Sequence, residues 1–380
     1  MKRFKVKTEI CYGKNSLEVL RELKNRKILI ICDKFIGGSD ILKKVKENII
    51  DCSVDIFDEV IPDPTVKVVA KGVQFLKDKS ADLIIALGGG SSIDGAKAIR
   101  DYYGKIEGKC EIEFYAIPTT SGTGSEVTEY SVITNEKENV KYALTDEKLL
   151  PSMAILDPEL VKSVPKSISA DTGMDVLTHA IEAYVSTEAS DFTDALAEKA
   201  FELVVKNIEK VYKNGEDLEA RERMHNGSCL AGLAFNAGGL GLTHSLAHVL
   251  GGKYHIPHGK INAMILPHII RFNSDIENKS YSSETTEVMK KYQKLARIME
   301  LNCNSGYIGT TNLINGIVKL QKSLSIPLTL KDLNIDGREL LEEKELERIC
   351  KKIQGDVCTK TNPREMTRED LVKILKCIMG

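Results

Sequence analysis

In the first part of the chain, short runs rich in β-branched residues alternate with amphipathic stretches, and no other feature narrows the possible folds as far. KILIICD, SVDIFDEV, ADLIIALGGG and EFYAIPTT read as strands, and DILKKVKENI, VKVVAKGVQFLKDK and SIDGAKAIRDYY between them read as helices. A helix that follows each strand returns the chain in the same direction, so the sheet is expected to be parallel and covered on both faces. From about Pro165 onward the β signal fades into long helical patterns such as ALAEKAFELVVKNIEKVY, TEVMKKYQKLARIMEL and REDLVKILKCIM. Thr367 and Asp370 open the last of these as a capping box. The expected organisation is an α/β domain over residues 1–165 and an all-α domain over 166–380, with the chemistry sought in a cleft at their junction.

With 380 residues and 42% hydrophobic content, both domains can build a core. The 53 basic and 55 acidic side chains leave a formal charge of -2, which carries no footprint for nucleic acid or an anionic membrane. A small-molecule partner is expected instead. The charged start MKRFKVKTEI precedes no apolar signal core, and no stretch has the length of a membrane span, so the expected location is the cytoplasm. Nine cysteines, an odd number without a C-x-x-C spacing, read as reduced thiols.

LGGGSSIDGAK, Leu87 to Lys97, follows a buried strand and opens a helix. Unpaired amides at a helix start attract a phosphate, and glycines let it approach, although a plain glycine turn has the same local pattern. The order is not that of the common dinucleotide fingerprint, because the candidate ribose acid, Asp33, precedes the glycines at the end of KILIICD. A turn aspartate after a strand is the commoner reading of such a residue. PTTSGTGSEVT, Pro118 to Thr128, ends the next strand with hydroxyls suited to the same ligand.

All seven histidines lie between His179 and His268, and four of them fall within residues 241–260. Asp175 and His179 are four apart on one predicted helix, and His244 and His248 repeat that spacing on another. His258 follows after a turn-rich interval. A carboxylate with imidazoles on facing helices is a divalent-metal arrangement, whereas each histidine alone is more often structural. Spacing does not say which of His244 and His248 reaches an ion. His225, His255 and His268 have no partner at helical spacing and read as structural.

GMDVLTHAIEAYVS, GLGLTHSLAHVLGGKYHIPHGKINA, ALGGGSSIDGAKAI and AIPTTSGTGSEVT together resemble the iron-containing (group III) alcohol dehydrogenase family along nearly the whole chain. The resemblance implies a dehydroquinate synthase-like architecture, an α/β NAD-binding domain followed by a helical metal-binding catalytic domain. It implies Asp175, His179, His244 and His258 as metal ligands and His248 as a proton relay. Gly89, Gly90 and Ser91 would hold the cofactor pyrophosphate, Asp94 would approach the nicotinamide side as a catalytic residue, and Thr119, Thr120, Thr123 and Ser125 would line the cofactor. Asp33 fits the position that favours NAD over NADP, and Phe235 the position that narrows the substrate channel. A homodimer through the strands near FKVKTEICYG is implied as well.

Four protein ligands plus substrate lean the ion toward Fe²⁺, with Zn²⁺ possible at the same donors. The expected reaction is NAD(H)-dependent interconversion of a short-chain primary alcohol, such as 1-propanol or ethanol, and its aldehyde. The same architecture serves glycerol and 4-hydroxybutyrate dehydrogenases. A dehydroquinate synthase-like lyase would want more basic residues than the Lys253 and Lys260 present near the histidines, and a non-catalytic binding protein would not need the full ligand set.

Overall fold

The computed structural model describes residues 3–108, 112–137 and 140–380. They divide into two compact units: residues up to Val164 with Glu216–Asn236, and Pro165–Gly215 with Ala237–Gly380. The strands are β1 (Glu9–Tyr12), β2 (Lys24–Asp33), β3 (Asp51–Val60), β4 (Leu83–Gly88), β5 (Glu113–Pro118), β6 (Tyr130–Asn135), β7 (Val140–Thr145) and β8 (Met153–Leu156). Six of them form one parallel sheet in the order β1-β8-β5-β4-β2-β3. β6 and β7 make a separate antiparallel pair.

The first unit also holds α1 (Lys34–Gly37), a single turn, and α2 (Asp40–Glu47), α3 (Val66–Lys79) and α4 (Gly90–Glu107). Strand residues alternate between two buried layers. Ile28, Ile30 and Cys32 pack with Leu42 and Val45 of α2, while Leu29 and Ile31 pack with Val69 of α3 and Ile93 of α4. Burial on both faces is why these strands read as nearly continuous apolar runs. The ends of β2, β4 and β5 carry Asp33, the glycine turn and the threonine-rich segment to one edge of the sheet, where parallel sheets place ligands.

Helices α5 (Lys166–Val185), α6 (Asp191–Lys213), α7 (Leu218–Gly238), α8 (Leu242–Tyr254), α9 (His258–Ser274), α10 (Glu287–Ile298), α11 (Gly306–Ser323), α12 (Glu343–Gly355) and α13 (Arg368–Met379) account for the rest of the regular structure, apart from short 3-10 turns. The second unit is helical, and one of its cores joins α8, α9, α12 and α13 through Leu246, Ile265, Ile349 and Leu375. Thr367 and Asp370 form the expected capping box at the start of α13. No helix among the described residues is long and apolar enough to cross a membrane. Eight cysteines are free thiols, and the ninth, Cys110, lies outside the described residues.

The chain passes from the first unit to the second at residue 165, and returns to the first over residues 216–236. Residues 216–236, assigned from sequence to the helical domain, pack with the α/β unit. Arg221 donates to the carbonyls of Lys162 and Val164, and the Asn236 side chain accepts from the Glu129 amide at 2.8 Å. Cys229 and Leu233 join the apolar cluster of Val127, Ala154 and Leu156. The helical period of the segment is legible, but its partner depends on contacts far along the chain. Gly232 permits the approach, because a Cβ there would lie 2.8 Å from Val127 Cγ2 and 2.9 Å from the Gly124 carbonyl. Gly232→Ala is therefore expected to lower stability by about 1 to 3 kcal/mol. Gly252→Ala, in α8 with nothing within 4 Å of its Cβ, should be neutral or stabilising by up to about 1 kcal/mol. Thermal and urea unfolding of the two variants checks the pair.

Candidate functional site

The glycine turn of the first unit is built so that backbone and hydroxyls crowd together. Gly88 has φ +149° and turns over Ser92, whose Oγ a Cβ would meet at 2.4 Å. Gly89 and Gly90 face Thr120 and Thr123, the latter 2.6 Å from where a Gly90 Cβ would stand. The α4 N-terminus begins at Gly90 with no side-chain cap, which leaves its amides available to an anion. Ser91 Oγ accepts from the Asp63 amide, and the Thr119 amide donates to the Gly88 carbonyl.

Asp33 ends β2. Its Oδ1 accepts from the Ile36 amide at 2.9 Å and so caps α1, while Oδ2 lies 3.9 Å from the position of a Gly88 Cβ. One oxygen thus serves the turn, while the other faces the glycine edge.

Asp94 is spent on structure. Its Oδ1 accepts from Ser125 Oγ at 2.6 Å and its Oδ2 from the Val132 amide at 3.0 Å, which fastens the threonine-rich segment and β6 to α4. Sequence reasoning passed over Lys97, three residues on. Its fully buried ammonium donates to Ser125 Oγ, Thr128 Oγ1 and the carbonyls of Thr128 and Tyr130. Burial lowers its pKa to about 8, against the pull of Asp94 and Glu126. Burial likewise raises buried Glu126 to about 7. His225 of α7 bonds Ser121 of the same loop at 3.0 Å, and burial brings its pKa down to about 4.

In the second unit Asp175 and His179 lie on α5, His244 and His248 on α8, and His258 is the first residue of α9. Ligating atoms of Asp175, His244 and His258 fall within 4.8 Å of one another. His244 Nε2 is 3.9 Å and His258 Nε2 3.8 Å from Asp175 Oδ1. Bonds of about 2.0 to 2.2 Å from a common centre span such separations. The His179 ring stacks on that of His244 with centroids 4.7 Å apart, but it is not part of this close group.

The residues fit a divalent ion. Buried His244 Nε2 has no hydrogen-bond partner among the described residues, while Nδ1 contacts Glu182 at 2.6 Å. Burial, followed by the neighbouring His179 and His258, drives the His244 pKa well down, so the imidazole is neutral as a ligand must be. Burial alone would raise the Asp175 carboxyl, but the three imidazoles and the Asn262 amide outweigh it and keep Asp175 below its ordinary value. Asn262 Nδ2 donates to Asp175 Oδ1 at 2.7 Å and touches His258 Nε2 at 3.1 Å.

His248 stands at the rim. Its side chain is 44% exposed, its ring stacks on His258 at 5.5 Å, and its Nδ1 meets Asp356 Oδ2 at 2.8 Å. Burial would raise Asp356, but the contact with His248 and the Cys358 amide bring it down to about 2. Glu182 has a legible signal, since it follows Asp175 by seven residues on the same helix face. Asp356 had none, being 108 residues from His248. His255 sits exposed in the left-handed C-cap of α8, and His268 is a mostly buried residue whose pKa burial lowers to about 4. Phe235 is buried, 7% exposed, in α7.

The Pro257-His258-Gly259 corner is sterically determined. A Cβ on Gly259 would stand 2.2 Å from the Asp171 carbonyl, so only glycine lets α9 begin against α5 with His258 beside Asp175. Gly259→Ala is expected to weaken divalent-ion binding by about tenfold or more, the scale of disturbed ligand support. His255→Ala should leave it unchanged. Metal analysis of both purified variants checks this.

Family models described as the C-terminal part of the Fe-containing alcohol dehydrogenase family and as iron-containing alcohol dehydrogenase match residues 169–379 and 7–158. The chain is 42% identical over 381 residues to a 1-propanol dehydrogenase of Citrobacter freundii, covering 99% of each. It is 40% identical over 400 residues to an NADPH-dependent butanol dehydrogenase of Clostridium saccharobutylicum, covering 100% of this chain and 98% of that one. A crystal structure of a 1,3-propanediol oxidoreductase superposes with a TM-score of 0.88 at 30% identity over 99% of both chains.

Proposed function

Because the chain belongs to the iron-containing alcohol dehydrogenase family, we propose that it interconverts a short-chain primary alcohol, such as 1-propanol or ethanol, and its aldehyde, using NAD(H) and one divalent ion. The observation that carries this reading is the convergence of Asp175, His244 and His258 around a buried imidazole nitrogen with no other partner. Relatives named for 1-propanol and butanol support the substrate size.

Asp175, His244 and His258 would hold the ion, with His179 as the fourth ligand that the family resemblance implies; Fe²⁺ suits four protein donors plus substrate, and Zn²⁺ is the alternative. When bound, the ion supplies Lewis acidity to the substrate oxygen and the nicotinamide accepts or returns the hydride. Gly89, Gly90 and Ser91 would receive the pyrophosphate on the α4 amides, with Thr119, Thr120 and Thr123 beside it. Asp94 and Lys97 act from below by fixing Ser125 and the segment that carries these hydroxyls. His248, with Nδ1 held by Asp356, keeps Nε2 to exchange a proton at the rim. Phe235 is proposed to narrow the substrate channel. A homodimer through the β1 edge accompanies this reading.

The ligand assignment separates the paired histidines. His244→Ala is expected to lose the ion and all turnover, whereas His248→Ala should keep the ion and lose roughly 10²-fold in kcat. Anaerobic Fe²⁺ loading, metal analysis and NADH absorbance with short aldehydes check both. Wild type inactive toward every short aldehyde, or fully active after complete metal removal, contradicts the proposal.

Cofactor choice follows from Asp33. Asn in its place keeps an acceptor for the Ile36 amide and removes the charge that would repel the 2′-phosphate of NADP. Asp33→Asn should raise kcat/KM for NADPH relative to NADH by about 10- to 100-fold, the worth of one or two charged contacts. An unchanged ratio leaves Asp33 as a turn residue alone.

A further inference from the structure

Glu182 is 2% exposed and faces two backbone N–H groups and one ring nitrogen from the start of α8. Its Oε1 accepts from the Thr243 amide at 2.6 Å, and its Oε2 accepts from the Gly241 amide at 2.9 Å and contacts His244 Nδ1 at 2.6 Å. Gly241, the residue before α8, offers no side-chain cap, so this carboxylate from α5 closes the helix start in its place. Backbone amides can only donate. Burial raises the Glu182 carboxyl, but two backbone donors at the positive end of α8 favour its ionised form, and a carboxylate Oε2 facing the ring accepts from it.

We propose that Glu182 is a positioning residue that locks His244 in the Nδ1–H tautomer and so presents the Nε2 lone pair toward Asp175 and His258. The proposal rests on the reading of His244 as a ligand. Geometry gives it content beyond helix capping. Cap and clamp use the same carboxylate, so the α8 start and the ligand atom are set together. The Asn362 side chain completes the arrangement by accepting from the Leu242 amide while donating to Asn273, so the amides of Gly241, Leu242 and Thr243 are all engaged at the start of α8.

Glu182→Gln removes the charge and one acceptor. Its NH₂ group must face either the Thr243 amide or the Gly241 amide together with Nδ1, so it cannot accept at once from both amides of α8 and from the ring as the carboxylate does. Zn²⁺ titration of the metal-free full chain against a competing chelator is expected to show Kd at least tenfold weaker in Glu182→Gln than in wild type. The melting temperature of the metal-free proteins is measured alongside. An unchanged Kd, with or without a lower melting temperature, makes Glu182 a helix cap only and overturns the proposal.

Imidazole ¹⁵N spectra of metal-free wild type give a second test that needs no variant. The expected His244 signals are a protonated Nδ1 and an unprotonated Nε2, and the reverse pattern overturns the proposal. Wild type that binds no Zn²⁺ overturns the ligand reading beneath it, a result distinct from equal binding by both proteins.

Discussion

A carboxylate buried without partners is too costly to survive folding, and Asp175 is 3% exposed near the middle of α5. Its surroundings in the second unit answer that constraint. Asn262 donates to it from α9, and His244 and His258 approach it from two further helix positions. Gly259 lets α9 start close enough for this to happen. The cluster is thus both the solution to a burial problem and a set of donors with one lone pair left over.

A similar economy governs the first unit. The α4 N-terminus must stay open if it is to receive a phosphate, so the turn before it is held by groups that do not occupy its amides. Ser92 fills the space under Gly88, Asp94 grips Ser125 and β6, and Lys97 ties the carbonyls of Thr128 and Tyr130 from inside. Half-buried Asp94 and buried Lys97 and Glu126 meet there, and the Lys97 ammonium draws both carboxyls down against the effect of burial. Such a network rigidifies a loop that glycine would otherwise leave loose.

The sequence made the parallel sheet legible because strands buried on both faces and helices with one apolar stripe have different periods, and β2 to β5 with α2 to α4 follow them closely. The β6–β7 pair was missed, since TNEK at the end of β6 has no apolar period and one face of β7 is exposed. The packing of residues 216–236 was not legible for a different reason: it depends on Gly124 meeting Gly232 across a long stretch of chain. Helical spacing correctly put His244 and His248 on the same helix but was silent on their difference. That difference lies in carboxylates from elsewhere, Glu182 for the buried ring and Asp356 for the exposed one. His179 shows the remaining limit, because a shared helix face places a ring near the group without fixing where its nitrogens point.

The central claim is that one divalent ion is held by Asp175, His244 and His258. Anomalous diffraction from crystals of the iron-loaded protein, collected on either side of the iron absorption edge, tests it most directly. The account predicts a single strong peak about 2.0 to 2.3 Å from an Asp175 oxygen and from Nε2 of His244 and His258. A peak instead between His248, Asp356 and Cys358, the other close group of ligating atoms among the described residues, would contradict it.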